Sequence, residues 1–282
     1  MTTILAFGAG VDSTALLAAH LDPAKAAWAT GTDIDDIEDA LADITQVVFA
    51  DPGAEFGRTY RNVETAQALC AEAGLDFEIV RKRDRHGNVL TIQDWLLNNG
   101  TVPVMPGGPH VCSLKFKGEV MQRWAQDAFA GQDIEWLVGI ESTETKRVQR
   151  FQGGKGSDHS FRWPLVDLGW DRDDCLAVIA ACWPHEVAKS SCVFCPFMSA
   201  EEITDTAHNE PQAWALAKII EAEFEKTSAI KHNRWLDAGQ PLNRGGRAPR
   251  GMWRRDSWSE GQRLFVKTIG GSRLSTAEWA TQ

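Results

Sequence analysis

The sequence predicts an α/β fold: a doubly wound, mainly parallel sheet followed by a helical C-terminal region. Three observations predict it. Short apolar runs end in turn residues, stretches of helical spacing follow them, and the alternation recurs until the pattern changes near residue 164.

TILAF (3–7) is apolar after Thr3 and closes on Gly8, as a strand buried on both faces of a sheet does. Residues 12–20 then repeat at helical spacing. QVVFA (46–50) reads as a second strand with a helix over about 59–73 behind it. DFEIVRK (76–82) and IEWLVGI (134–140) read as further strands, and FKGEVMQRWAQDAFA (116–130) as the helix before the last of these. From about Pro164 onward helices and loops take over, including DRDDCLAVIAACW (171–183) and EPQAWALAKIIEAEFEKT (210–227). Residues 240–251, rich in Gly, Pro and Arg, read as a loop or linker. The expected division is therefore an α/β domain over 1–165 and a helical, cysteine-containing region over 166–282 packed on it, within the usual range of domain sizes.

Composition narrows the class. With 43% hydrophobic and 24% charged residues the chain has average globular usage, which favours neither disorder nor a fibrous repeat. No basic segment followed by an apolar h-region opens it, and no apolar run approaches the roughly 20 residues of a membrane span, so a soluble, cytoplasmic protein without a membrane partner is expected. The net charge of −10 argues against a surface that is basic all over. Acid concentrates in DIDDIEDALAD (33–43), a solvated face. Base concentrates in RKRDRH (81–86) and NRGGRAPRGMWRRDSW (243–258).

FGAGVDST (7–14) joins the first strand to its helix. Gly8 and Gly10 can take positive φ, so that backbone N–H groups converge on an anion while the helix N-terminus adds partial positive charge. Ser13 and Thr14 bring hydroxyls to the same place, and phosphate is the guest this chemistry suits. An ordinary glycine-rich turn capped by Asp12 or Ser13 has the same pattern. The run contains neither a Walker Lys nor G-x-G-x-x-G.

The run resembles S-G-G-x-D-S, the pyrophosphatase loop (PP-loop) of the adenine nucleotide α-hydrolase superfamily, with Gly8 where Ser is usual and Ala9 where the first Gly is usual. The resemblance covers roughly residues 3–242. FADPGAEFGRTY (49–60), CSLKFK (112–117), GIESTETKR (139–147), RWPLVDLGWDRDDC (162–175) and KSSCVFCPF (189–197) are similar, in this order, to motifs of the phosphoadenosine phosphosulfate (PAPS) reductase-like branch. That branch includes many phage-encoded proteins and relatives of the ATPase of DNA phosphorothioation. The resemblance implies that Phe7, Gly8, Ala9, Gly10, Val11, Asp12, Ser13 and Thr14 cradle the phosphates of ATP or PAPS. It places Gly139 and Glu144 in the same nucleotide site, and Asp51 with Glu55 near ribose or Mg²⁺. Asp12, Lys117 and Arg147 are its catalytic candidates, the two cations facing the leaving pyrophosphate. Asp51 and Arg147 also fit a helix cap and a surface ion pair.

Six cysteines in a chain of this length without a secretion signal are expected as reduced thiols or metal ligands. Cys192 and Cys195 form a C-x-x-C, whose two thiolates reach one centre in a redox pair, a zinc site or an iron–sulfur cluster. Cys175 and Cys182 lie two helical turns apart, about 10 Å, so at most one of them joins such a site. Resemblance favours Cys175, in Arg-x-Asp-Cys, and closeness to Cys192 favours Cys182; Cys175 is taken here. The implied ligand set is Cys112, Cys175, Cys192 and Cys195 around a [4Fe–4S] cluster, with Zn²⁺ as the alternative metal. Cys70 reads as a small buried hydrophobe.

Three functions fit. In the first, ATP adenylates an acceptor with release of pyrophosphate, for sulfur insertion from a donor the sequence does not name. In the second, PAPS or adenylyl sulfate is reduced. In the third, the chain is a non-catalytic nucleotide- or nucleic-acid-binding module. The reductases of this family carry a nucleophilic Cys on a C-terminal tail, whereas no cysteine follows Cys195 here, which favours the first reading. Lys and Arg interleaved with Trp235, Trp253 and Trp258 across 231–263 suit a nucleic-acid or nucleotide acceptor, or a solvated basic tail. A homodimer is compatible with all three.

Overall fold

A computed structural model describes residues 2–41, 43–103, 111–151, 159–237, 263–265 and 267–282. The expectation of a linker over 240–251, and with it Trp253 and Trp258, lies outside the described residues. The chain forms two compact units. The first comprises Met1–Asp51, Glu55–Lys82 and Phe116–Ser191, and the second Pro52–Ala54, Arg83–Lys115 and Cys192–Gln282.

In the first unit β1 (Thr2–Ala6), β2 (Ile44–Asp51), β3 (Asp76–Arg81), β4 (Ile134–Val138) and β5 (His159–Arg162) make one all-parallel sheet in the order β3-β2-β1-β4-β5. The central β1 pairs with β2 up to Ala6↔Val48 and with β4 from Thr2↔Ile134 to Ala6↔Val138. The chain winds outward from β1 through β2 to β3, then returns to β4 and winds outward to β5. The topological switch point, where ligands of open α/β sheets bind, therefore falls between β1 and β4.

The apolar runs are continuous because both faces of the sheet are covered. Leu5, Val47, Phe49 and Leu137 face a core shared with α1 (Val11–Leu21), α2 (Pro23–Thr30), α3 (Ile34–Leu41) and α4 (Gly57–Ala73). Their neighbours Ile4, Val48, Ala50, Ile134 and Trp136 face the other way, against Val120 and Ala125 of α6 (Glu119–Ala128). Complete burial of each large apolar side chain is worth about 1.5–3 kcal/mol. Of the acidic run 33–43, Ile34–Leu41 forms α3, whose Ile37 and Leu41 are buried while Asp35 and Asp36 occupy its first turn, where the helix dipole favours them.

Three elements differ from the sequence expectation. The helix expected over 116–130 opens as a π-helix, Cys112–Gly118, before α6 begins. β5 has the sequence HSFR, too short and too polar to register as an apolar run. α9 (Arg172–Cys182), expected in the C-terminal region, packs on α1 and α2 in the first unit, so the units do not divide at residue 165. α7 (Thr145–Phe151) and α8 (Pro164–Asp167) complete that unit's helices among the described residues.

The second unit contains α5 (Ile92–Asn99), α10 (Ala200–Asn209), α11 (Pro211–Asp237), the hairpin β6 (Thr268–Ile269) and β7 (Ser272–Arg273), and α12 (Thr276–Trp279). Buried Glu221 on α11 ties its last segment down, accepting from Leu264 N at 3.0 Å, Thr276 N at 2.7 Å and Thr276 Oγ1 at 2.8 Å. Among the described residues no helix is long and apolar enough to cross a membrane.

Candidate functional site

The bend after β1 is anchored at its start and shaped by its neighbours. Phe7 is buried, its N–H donates to Val48 O at 2.9 Å, and its ring meets Phe77 edge-on at 5.7 Å. Ala9, and neither of the flanking glycines, takes the left-handed conformation, with φ +55°. Asn62 of α4 holds it there: Asn62 Nδ2 donates to Ala9 O at 3.1 Å and Thr14 Oγ1 at 2.9 Å, and Asn62 Oδ1 accepts from Trp183 Nε1 at 2.8 Å.

Gly10 has a different role from the one expected. Its backbone is extended, and a Cβ there would lie 3.0 Å from Ser190 Oγ, so the requirement is for close approach rather than for φ. The hydroxyls of Ser13 and Thr14 also differ from expectation. Ser13 Oγ accepts from Gly8 N at 3.0 Å and donates to Gly10 O at 3.3 Å, and buried Thr14 is bonded by Asn62, so both hydroxyls brace the bend. What the bend presents is the start of α1, whose N-cap Gly10 supplies no side-chain acceptor.

Gly139, just past β4, lies against that helix start. A Cβ on it would come within 2.8 Å of Ser13 N and 3.0 Å of the Asp12 carbonyl carbon, distances that only glycine permits. The loop that follows turns through Glu141, Glu144 and Arg147, with Arg147 Nη1 donating to Glu144 Oε2 at 2.8 Å. Ser142 N donates to Trp170 O at 2.9 Å, linking this loop to the start of α9. There Asp171 and Asp174 form a capping box that fixes the first turn. The turn delivers Arg172, whose Nη1 reaches Asp12 Oδ1 at 2.7 Å and whose Nε reaches Glu141 Oε2 at 3.4 Å. Burial pushes the Asp12 carboxyl above its usual pKa; Arg172 and Arg147 pull it down, while Glu141 and Glu144 push it up.

A second cluster stands at the end of β2. Buried Asp51 accepts from Tyr60 OH at 2.8 Å through Oδ1 and from Arg81 Nε at 2.8 Å through Oδ2. Burial, followed by the bond to Asp51, pushes the Tyr60 phenol well above its ordinary value. Glu55, whose side chain is fully buried, pairs with Lys117 Nζ at 3.0 Å. Both expected cations, Lys117 and Arg147, thus sit on carboxylates. Arg172, Glu141 and Asn62 escaped the sequence reading. The Arg of Arg-x-Asp-Cys was the available signal for Arg172, though that motif had been read for its cysteine.

No disulfide joins the six cysteines, all of which lie among the described residues. Cys192 and Cys195 share a tight turn, Cys195 N donating to Cys192 O at 2.9 Å. Cys175 is fully buried in the core of the first unit, and burial, followed by the Asp12 charge, pushes its thiol up to about 12. Cys70 is buried in the same core and its thiol is pushed up to about 11 by desolvation. Cys182 Sγ stands 4.0 Å from Asp22 O. Among the described residues no group of three or more His, Cys, Asp or Glu gathers to hold a metal ion; of the expected ligands, Cys175 belongs to the first unit and Cys112, Cys192 and Cys195 to the second. Compared with known proteins, the chain matches no family model and none of the curated proteins.

Proposed function

We propose that the chain has the adenine nucleotide α-hydrolase form of the doubly wound fold, binds ATP at the bend 7–14 and transfers adenylate to an acceptor. The acceptor oxygen attacks the α-phosphorus, the bond to the bridging oxygen breaks, and pyrophosphate leaves. A sulfur nucleophile then displaces AMP from the activated acceptor. Mg²⁺ arrives with the nucleotide. The cluster implied by the resemblance takes no part in these steps.

The observation that carries this reading is the uncapped N-terminus of α1 at the switch point between β1 and β4, with Gly139 drawn against it. An anion there meets backbone N–H groups and the positive end of the helix. The half-exposed Arg147 and Arg172, held at carboxylates in its absence, supply charge for phosphate oxygens. The nucleic-acid or nucleotide nature of the acceptor rests on the composition of 231–263 alone.

The test is pyrophosphate release from ATP and Mg²⁺ with nucleic-acid and nucleotide acceptors. Wild-type protein is expected to release pyrophosphate and AMP, and Asp12→Ala to lose about 100-fold or more of that rate, the scale on which removing one charged group from such a site acts. A wild type that never yields pyrophosphate, or a D12A variant with undiminished rate, overturns the reading. Anaerobic purification with a visible spectrum and metal analysis decides the cysteines separately: iron with sulfide supports the cluster, and a colourless protein with one zinc ends it.

A further inference from the structure

A cavity of about 250 Å³ opens where Ala9 of the bend meets the start of α4, walled by Ala9, Arg58, Thr59, Asn62, Val187 and Ala188, with exposed Glu186 also lining it. It is smaller than the roughly 300–1,000 Å³ of sites that engulf drug-sized ligands, so its guest is small.

The wall selects the charge of that guest. α4 is 17 residues long and its N-cap is Phe56, which has no side-chain acceptor, so the helix start faces the cavity with uncompensated positive character. Arg58, in the first turn, holds its guanidinium over the Phe56 ring at 4.1 Å, and its Nε is buried without a hydrogen-bond partner. Thr59, beside it, is 2% exposed, and its Oγ1 is likewise buried and unpartnered. Buried hydroxyls and guanidinium N–H groups normally have partners, so two unpartnered groups on adjacent residues of one cavity wall point to something that bonds them. Asn62 is different, since its amide is taken up by Ala9, Thr14 and Trp183. Glu186 is the single charge of opposing sign in the wall.

We infer that this cavity is an anion subsite adjoining the bend, centred on the start of α4 and taking one tetrahedral oxyanion. Arg58 Nε–H and Thr59 Oγ1–H donate to it, and the α4 N-terminus stabilises its charge. Phosphate and sulfate share this chemistry, whether free in solution or carried as a terminal group of a nucleotide.

Calorimetric titration of the full chain with inorganic phosphate tests the inference, repeated with a non-hydrolysable ATP analogue present. Thr59→Val and Arg58→Gln are each expected to weaken phosphate binding about tenfold, equivalent to ~1.4 kcal/mol. Thr59→Ser restores wild-type affinity, and Glu186→Gln tightens binding. T59V is nearly isosteric and R58Q shares no atom with it, so agreement between two variants with wild-type circular dichroism separates a lost bond from a lost fold. Phosphate binding that persists beside the analogue identifies a free anion as the occupant. Competition, with T59V weakening the analogue by the same factor, identifies the nucleotide's own phosphate. If the analogue fails to bind while phosphate binding remains dependent on Thr59, the nucleotide reading falls and the subsite stands. Wild-type protein that takes up no phosphate, or T59V and R58Q variants with wild-type affinity, overturns the inference.

Discussion

Two carboxylate clusters stand at the carboxyl ends of neighbouring strands, and they differ in how fully their oxygens are bonded. At the end of β2, Asp51 accepts one well-formed bond on each oxygen, from Tyr60 and Arg81. At the ends of β1 and β4, Asp12 Oδ1 and Glu141 Oε2 are buried and, among the described residues, meet the Arg172 guanidinium without an aligned hydrogen bond. Burial raises the Asp12 pKa, and the start of α1 beside it is uncapped. The residue types are alike, but the Asp51 oxygens are satisfied and hold a strand end in place, whereas the under-satisfied ones lie next to a helix N-terminus, where the proposed nucleotide site would use them.

Substitutions can sharpen this contrast or break it. The largest effect is expected from Gly139→Ala, because its Cβ would press on the backbone of Asp12 and Ser13, which cannot move aside as a flexible side chain can. A stability loss of about 1–3 kcal/mol is expected from such overpacking. Nucleotide affinity should fall with it, and a G139A protein that binds ATP as the wild type does would detach the helix start from the site.

Arg172→Gln comes next, and its sign follows from the charges. Arg172 lowers the pKa of a carboxyl that burial has raised, so without it Asp12 releases its proton at higher pH. If the ionised form serves the reaction, the acidic limb of the rate profile moves to higher pH in R172Q. An unmoved limb would mean that the limb does not report on Asp12.

Tyr60→Phe removes the bond to Asp51 and the longer one from Glu55 N at 3.4 Å, and should cost about 1–2 kcal/mol in denaturant unfolding, with nucleotide affinity unchanged. Lost affinity at intact stability would place Asp51 in the site after all. Ala9→Gly is the smallest change. Relief of a left-handed alanine, about 1–2 kcal/mol, is mostly offset by the added chain entropy of glycine, leaving a gain of roughly 0–1 kcal/mol. A marked loss of stability would show that the Ala9 methyl group matters to the packing under the bend.

Much of the scaffold was legible. β1, β2, β3 and β4 and helices α1, α4, α9 and α11 were all anticipated, because an apolar run or a helical period is a local signal. β5 was not, since an edge strand of four residues covers too little core to show a run. The π-helix was not, since it breaks no periodicity visible over seven residues. Of the candidate site, the bend 7–14, Gly139 and Arg147 were named from their motifs, whereas the contacts each of them makes were not legible there. The glycines were expected to supply the positive φ that Ala9 takes, and the hydroxyls of Ser13 and Thr14, expected to face a phosphate, bond to Gly8 N, Gly10 O and Asn62.

Order of strand and helix, the small residues after β1 and the cysteine spacing are properties of the linear chain, readable because neighbours in sequence make them. Tertiary structure alone decided that Arg172 meets Asp12, that Asn62 holds Ala9, and that Cys175 is shut in a core that pushes its thiol pKa up. The partners in the first two pairs lie 160 and 53 residues apart in the chain. Burial and ion pairing depend on what packs across such gaps, and no local period records it.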